Sequence, residues 1–327
     1  MNMQIDLSRL KSNADVIKKA TGRKLISVVK ADAYGHGAIE CAGALEPYSD
    51  AFAVATIREA LELSPVVDKD VIVLSQAYDG MDYARNIVFA AYDENGLNLL
   101  KKSGRRYMIK IDTGMNRLGF SCRQFSDLAR QIDYKNVCGV FTHIFDCSAM
   151  QTQVEKFCAL TDSLPVERHV YASCLTSANG NCFDYVRPGL LLYGYGAEYV
   201  KPVMSVYAKV LQVRKISKGE NVGYGICRVG HDCIIATLDI GYADGFRRKR
   251  EGEDRTVIIG GKKRKIVGQI CMDMCMVEVD ESVRSGDNAL ILGDALDAKV
   301  LACEWGTTEY EVLTSLGKSR AERKYVN

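Results

Sequence analysis

Histidine is scarce: four residues among 327. Cys271 and Cys275 could suggest a metal site, but no histidine stands near them in sequence and no C-x-x-C pair occurs, so zinc is not expected. An excess of charge of one sign is missing too. Lys and Arg number 43 against 41 Asp and Glu, a net charge of +2. That balance offers no electrostatic footprint for nucleic acid or a membrane surface. The one basic run, Arg247-Arg248-Lys249-Arg250, is followed by Glu251, Glu253 and Asp254 and reads as a solvated loop. No apolar stretch reaches the ~18 residues that cross a bilayer. Met1 to Leu10 carries Asp6 and Arg9 instead of the apolar core of a secretory leader. Repeats, low-complexity tracts and long linkers are absent as well.

What is present is ordinary for a soluble globular chain: 47% hydrophobic and 26% charged residues. The 12 cysteines are scattered, several in apolar runs (Cys138, Cys233, Cys303). Such usage suits reduced, mostly buried thiols in a cytoplasmic protein. Up to about residue 200 apolar strands alternate with helical periods. Ile5-Asp6-Leu7 enters a helix; AFAVA (51–55) leads to TIREALEL, with Thr56 as N-cap; VIVLS (71–75), YMIKID (107–112) and 137–141 follow. That alternation implies a parallel sheet, and the length accommodates a (β/α)8 barrel of roughly 250 residues with an extra module. After YVRPGLLLYGYG (185–196), where Pro188 suits a first helical position, the pattern changes. Alternating strands with Gly-rich turns predict an all-β domain. The expected organisation is α/β: a (β/α)8 TIM-type barrel over residues 1–200 and a C-terminal all-β domain over 201–327.

The most informative stretch is LISVVKADAYGHG, 25–37. A buried β-branched run ends on Lys30, with Tyr34 and two glycines just beyond. Lysine at the C-terminal end of a strand sits where α/β folds do their chemistry. Desolvation there would lower its pKa and free the amine to form a Schiff base with an aldehyde. Tyr34 suits an anion, and the glycines allow close backbone approach. An aldehyde cofactor bearing a phosphate fits both features. A surface or ion-paired lysine is the plain alternative.

VVKADAYGHG resembles the lysine signature of the alanine racemase family, and further motifs in the family's order extend the resemblance over nearly the whole chain. It implies pyridoxal 5'-phosphate (PLP) carried by Lys30. KIDTGMNRLGF (110–120) is similar to a second signature, implying Arg117 at the substrate carboxylate, where a planar fork suits a carboxylate, and Lys110, often carbamylated, steadying it. His143 matches a histidine that bridges the catalytic tyrosine and the arginine under the cofactor ring, here Arg187 of VRPG. Guanidinium keeps its proton, so the ring nitrogen stays largely unprotonated and transamination is discouraged. Phosphate would be held by Tyr34, Ser173, the amides of Gly189 and Leu190, and Tyr310. The family usually has Asn-Ser where this chain has Ala172-Ser173, and Ser177 is a rival.

Val222-Gly223-Tyr224-Gly225 resembles the motif whose tyrosine faces the other subunit's cofactor. The resemblance implies a two-base mechanism in a homodimer with shared sites: Lys30 handles the D-enantiomer's proton and Tyr224 the L-enantiomer's. Tyr242, in IGYADG, would gate the entrance, and the Met272 amide would contact the carboxylate, both at the neighbouring subunit's site. The implied activity interconverts L- and D-alanine and supplies D-alanine for peptidoglycan. Departures are the segment IFDCSAMQT after His143, Met274 where glutamine is common, the tail SLGKSRAERKYVN, and a chain shorter than typical members. Serine or a broader substrate range is the close alternative, since one extra hydroxyl is weakly rejected by sterics. Tyr310 favours alanine, because serine-preferring relatives often carry a smaller residue there. A non-catalytic PLP carrier would lack the β domain. A PLP-dependent decarboxylase would want an acidic partner for the pyridine nitrogen and a donor cysteine, a role left to Cys271.

Overall fold

The computed structural model describes residues 1–173, 183–250 and 252–327. Its strands in chain order are β1 (Asn2–Asp6), β2 (Lys24–Val28), β3 (Ala51–Val54), β4 (Asp70–Val73), β5 (Ile87–Ala91), β6 (Tyr107–Asp112), β7 (Phe120–Ser121), β8 (Val137–Phe141), β9 (Glu167–Ala172) and β10 (Tyr185–Arg187). They continue as β11 (Met204–Ile216), β12 (Cys233–Leu238), β13 (Thr256–Ile259), β14 (Lys262–Val267), β15 (Cys275–Val279), β16 (Asn288–Leu292) and β17 (Glu322–Val326).

Two compact units emerge, one of residues 10–33 and 37–201, the other of 1–9, 34–36 and 202–327. In the first unit eight parallel strands run in the order β5-β4-β3-β2-β10-β9-β8-β6, and β5 pairs β6, so the ring closes. The two-residue β7 only flanks β6. Closure explains the composition of these strands. Covered on both faces, β3 and β5 are buried at every position, which is why they read as unbroken apolar runs. Helices 57–63 and 94–103 cap as their sequences dictate. Thr56 and Glu59 form a capping box, and Asp93 accepts from the Gly96 amide.

The second unit is an eight-stranded sheet, β12-β15-β14-β13-β16-β11-β1-β17, in which β12 also pairs β11. All its pairings are antiparallel except β1 with β17. The first seven residues of β11 alternate buried and half-buried, the mark of a sheet with one covered face. Two features depart from the sequence reading. Strand β1 lies outside the barrel and pairs β11 and β17, so residues 1–9 group with the second unit. That unit also carries helices Ala298–Trp305 and Glu309–Gly317. On the first of these, Leu301, Ala302 and Trp305 are buried, so Cys303 faces outward and is exposed, against the expectation of burial. The ten cysteines among the described residues are free. After Pro188 the chain makes overlapping turns, Leu192 N–H to Gly189 O (2.9 Å) and Tyr193 N–H to Leu190 O (3.1 Å), where a short helix was expected.

Candidate active site

Lys30 lies just beyond β2, at the same barrel end as the close of β8 and β10. The backbone that follows is unusual. Ala31, Asp32, Ala33 and Tyr34 have φ of 53°, 56°, 53° and 55°, one left-handed helical turn built without glycine. Each such residue costs about 1–2 kcal/mol, so the turn must be held. Ala33 N–H donates to Val29 O at 2.9 Å and Gly37 N–H to Asp32 O at 3.0 Å. Asp32 Oδ1 accepts from Ala38 N–H at 2.8 Å. Glu59 accepts from Ala31 N–H at 2.7 Å through one oxygen and from Ala55 and Thr56 N–H through the other. Gly35 (φ 87°) then packs backbone against backbone: a Cβ there would lie 2.6 Å from Gly317 Cα. The close approach expected of these glycines is therefore made to the protein's own chain.

Around Lys30 the first unit gathers positive charge. Burial lowers the Lys30 pKa below the ordinary lysine range; Arg117 adds to this, Glu59 opposes it, and Arg187 adds a little more. Lys110, buried on β6 with its Nζ 5.9 Å from the Phe141 ring centroid, is pushed down to about 8 by burial, then by Arg117 and Arg187. His143, two residues beyond β8, is pushed down to about 3 by burial and by Arg187, Arg117, Lys110 and Lys30, so it is neutral at physiological pH. Arg117 sits in a loop tied by Asp112, whose carboxylate accepts from Gly114 N–H (2.8 Å) and Arg117 N–H (3.2 Å). Gly119 (φ 128°) lets that loop close on β6, since a Cβ would lie 2.8 Å from Asp112 N.

Arg187 is fully enclosed. Burial pulls its pKa down to about 9, still high enough to keep the guanidinium protonated at neutral pH. Its Nη2 donates to Thr142 O (2.8 Å) and Val170 O (3.2 Å), and its Nη1 to His169 Nδ1. Accepting at Nδ1 leaves the His169 proton on Nε2, 3.2 Å from Met108 Sδ. His169 is buried, stacked on Phe141 at 4.8 Å, and its pKa is held well below the usual value by burial and Arg187. Thus the histidine bonded to Arg187 is His169, which sequence reasoning passed over, while His143 lies in the same cationic cluster. Glu59 was passed over too, although T-x-x-E at 56–59 signalled its capping role. Ser173 Oγ accepts from Gly189 N–H (2.8 Å) and Leu191 N–H (3.2 Å). Ser177 lies outside the described residues.

The remaining candidates belong to the second unit. Tyr34 is buried, its ring 5.8 Å from that of Tyr310, and burial raises its phenol above the usual range. Tyr242 and Met272 stand on adjacent segments joined by Tyr242 N–H to Cys271 O and Ala243 N–H to Met272 O, both 3.0 Å. Tyr224 tips a loop between Gly223 (φ 73°) and Gly225 (φ 80°) and is 73% exposed. Asn221 stiffens that loop through Gly223 O (2.9 Å) and Cys227 N–H (2.7 Å).

Two family models match in tandem, the alanine racemase N-terminal domain over residues 5–197 and the alanine racemase C-terminal domain over 203–325. The chain belongs to the alanine racemase family. An alanine racemase of Thermodesulfovibrio yellowstonii is 35% identical, over 93% of this chain and 90% of the relative. One of Carboxydothermus hydrogenoformans is 33% identical, over 99% and 98%. Among solved structures, alanine racemase from Acinetobacter baumannii superimposes with a TM-score of 0.89 at 29% identity, covering 99% of each chain. That of Bartonella henselae, described with covalently bound pyridoxal phosphate, gives 0.88 at 28% identity, also over 99% of each chain. The closed barrel followed by a β unit is thus the architecture of this racemase family.

Proposed function

We infer that this chain interconverts L- and D-alanine as a PLP-dependent racemase, supplying D-alanine for peptidoglycan. The observation that carries the reading is Lys30: a desolvated lysine in a cluster of cations, held by a strained left-handed turn, in a chain matched by both family domains. Strain of this kind persists where function requires a fixed geometry. The residues fit the cofactor. The amides of Gly189 and Leu191 already converge on one oxygen, Ser173 Oγ, as a phosphate oxygen would require. Together with Ser173 and the Leu190 amide they would hold the phosphate, and Arg187 would serve the pyridine nitrogen; Tyr34 and Tyr310 are the second unit's phosphate candidates.

The chemistry PLP would supply when bound is an electron sink for the substrate's Cα, which would weaken its C–H bond. The protein moves the proton. Lys30 Nζ, whose pKa is lowered by burial, exchanges it on one face, and Tyr224 Oη on the other. Arg187 cannot surrender a proton to the ring nitrogen, which restrains side reactions. Arg117 and the amide of the partner subunit's Met272 receive the carboxylate, and the partner's Tyr242 lines the way in. Tyr224 (73% exposed) and Ile226 (92%) present an apolar, hydroxyl-bearing tip suited to a second copy of the chain, so the working form is a homodimer with shared sites. Its setting is the cytoplasm. Chiral analysis of products from single L-amino acids tests the reading: D-alanine should dominate. D-serine dominating would overturn the substrate, and no D-product would overturn the reaction.

Lys110 extends the same reading. With a pKa of about 8, about a tenth of its amine is neutral at pH 7, far more than for an ordinary lysine near ~10.4. The neutral Nζ attacks CO2, an N–C bond forms, and one proton leaves to solvent. The resulting carbamate anion offsets the surrounding cations and steadies Arg117. Protein supplied with 13C-bicarbonate should give a carbamate signal that Lys110→Gln lacks, and that variant should raise KM for alanine about tenfold, the loss of one charge-assisted hydrogen bond. The same spectrum from both proteins would remove the carbamate.

A further inference from the structure

Beyond the groups assigned above, the second unit contains one ionic arrangement that joins the candidate entrance segments. Arg320 Nε donates to Asp244 Oδ1 at 2.8 Å and its Nη2 to Asp244 Oδ2 at 3.1 Å. The same Nη2 lies 2.8 Å from Asp273 Oδ1. Asp244 follows Tyr242 by two residues, and Asp273 follows Met272. One guanidinium therefore bridges the two segments that carry them.

An exposed ion pair contributes little by itself, and the Arg320 and Asp273 side chains are 59% and 50% exposed. Asp244 is different. Its side chain is 4% exposed, it takes the fork bidentately, and its Oδ2 also accepts from Gly241 N–H at 3.1 Å. The backbones meet without room to adjust. A Cβ on Gly241 would overlap the Met272 carbonyl, and one on Gly245 would overlap the Ser315 carbonyl. Ser315 lies in the last turn of the helix that carries Tyr310, and Gly317 of the same helix abuts Gly35, next to Tyr34. The segments bearing Tyr34, Tyr242, Met272 and Tyr310 thus converge on residues 315–320. Arg320 supplies the charged tie between two of them.

We propose that Arg320 is a positioning residue for substrate capture: by bridging Asp244 and Asp273 it holds Tyr242 and the Met272 amide in register to admit alanine and receive its carboxylate. The inference rests on the assignment of Tyr242 and Met272 made above. The tail SLGKSRAERKYVN, which follows the family's ending only in part, thereby gains a task.

The test uses PLP-loaded protein and two substitutions. Asp273→Asn keeps shape at a half-exposed site and leaves the buried Asp244 pair intact, so it folds. Arg320→Lys keeps charge but loses the fork that spans both carboxylates. Each should raise KM for L-alanine about fivefold, with kcat within twofold and the cofactor's visible band unchanged. Combining them should add little, because both act on one contact. Added salt should raise the wild-type KM more than that of Asp273→Asn. Unchanged KM in Asp273→Asn, or lowered melting temperature with KM unmoved, overturns the proposal. Absence of racemisation by the wild type would instead overturn the functional assignment on which it stands.

Discussion

Lys30→Ala is expected to abolish both racemisation and the visible absorption band of the bound cofactor. On the proposed function the amine has two tasks: it would anchor the cofactor covalently and exchange the substrate proton on one face. Removal of a positioned acid–base group alone costs about 10²–10⁴-fold, and loss of the covalent anchor comes on top. The loss should therefore reach about 10⁴-fold or more. The surroundings of Lys30 make the prediction specific. Its pKa is lowered by burial, then by Arg117, with Glu59 opposing. No other lysine combines that environment with the left-handed turn at 31–34. Lys110 shares the cationic cluster but stands within a strand, on a regular backbone. Retention of the visible band in Lys30→Ala would transfer the anchor elsewhere and remove the account's foundation.

Tyr224→Phe should separate the two faces of the reaction. The substitution removes one hydroxyl from an exposed loop tip, so folding and cofactor binding should persist. Racemisation should fall by about 10²–10⁴-fold. In deuterated water, exchange of the Cα proton should continue from D-alanine, the enantiomer proposed for Lys30, and stop from L-alanine, the one proposed for Tyr224. Tyr224 is 73% exposed, and the proposed function has its hydroxyl act at a partner's site, so a sedimenting monomer should be inactive. Full activity in Tyr224→Phe would remove the tyrosine from the mechanism, and an active monomer would refute the shared site.

The barrel strands were legible because burial on both faces leaves little room for polar residues. The runs at 51–54, 70–73, 107–112 and 137–141 announce themselves by composition. The destination of β1 was not legible. A short strand before a helix looks the same whichever sheet receives it, and its partners, β11 and β17, begin about 200 and 320 residues away in sequence. Two helices after residue 297 were missed because each is only eight or nine residues long and follows a series of strands. At the site, Lys30, Lys110, Arg117, His143 and Arg187 could be named from motifs, and the structure gathers them into one cationic cluster. The left-handed turn could not be read, since of Ala31, Asp32, Ala33 and Tyr34 only the aspartate is of a type that visits positive φ, and then singly. What holds it, Glu59 above all, comes from a helix 28 residues on. His169 was hidden for a similar reason: in sequence it is one buried residue of β9, and only the barrel sets it against Arg187.

The most direct measurement is the optical rotation of L-alanine and, separately, of D-alanine incubated with the PLP-loaded protein. Enantiomers have equal free energy in water, so both reactions should converge on the same racemic mixture. Convergence from both directions is the predicted result. Unchanged rotation from either enantiomer, with the cofactor demonstrably bound, would contradict the account.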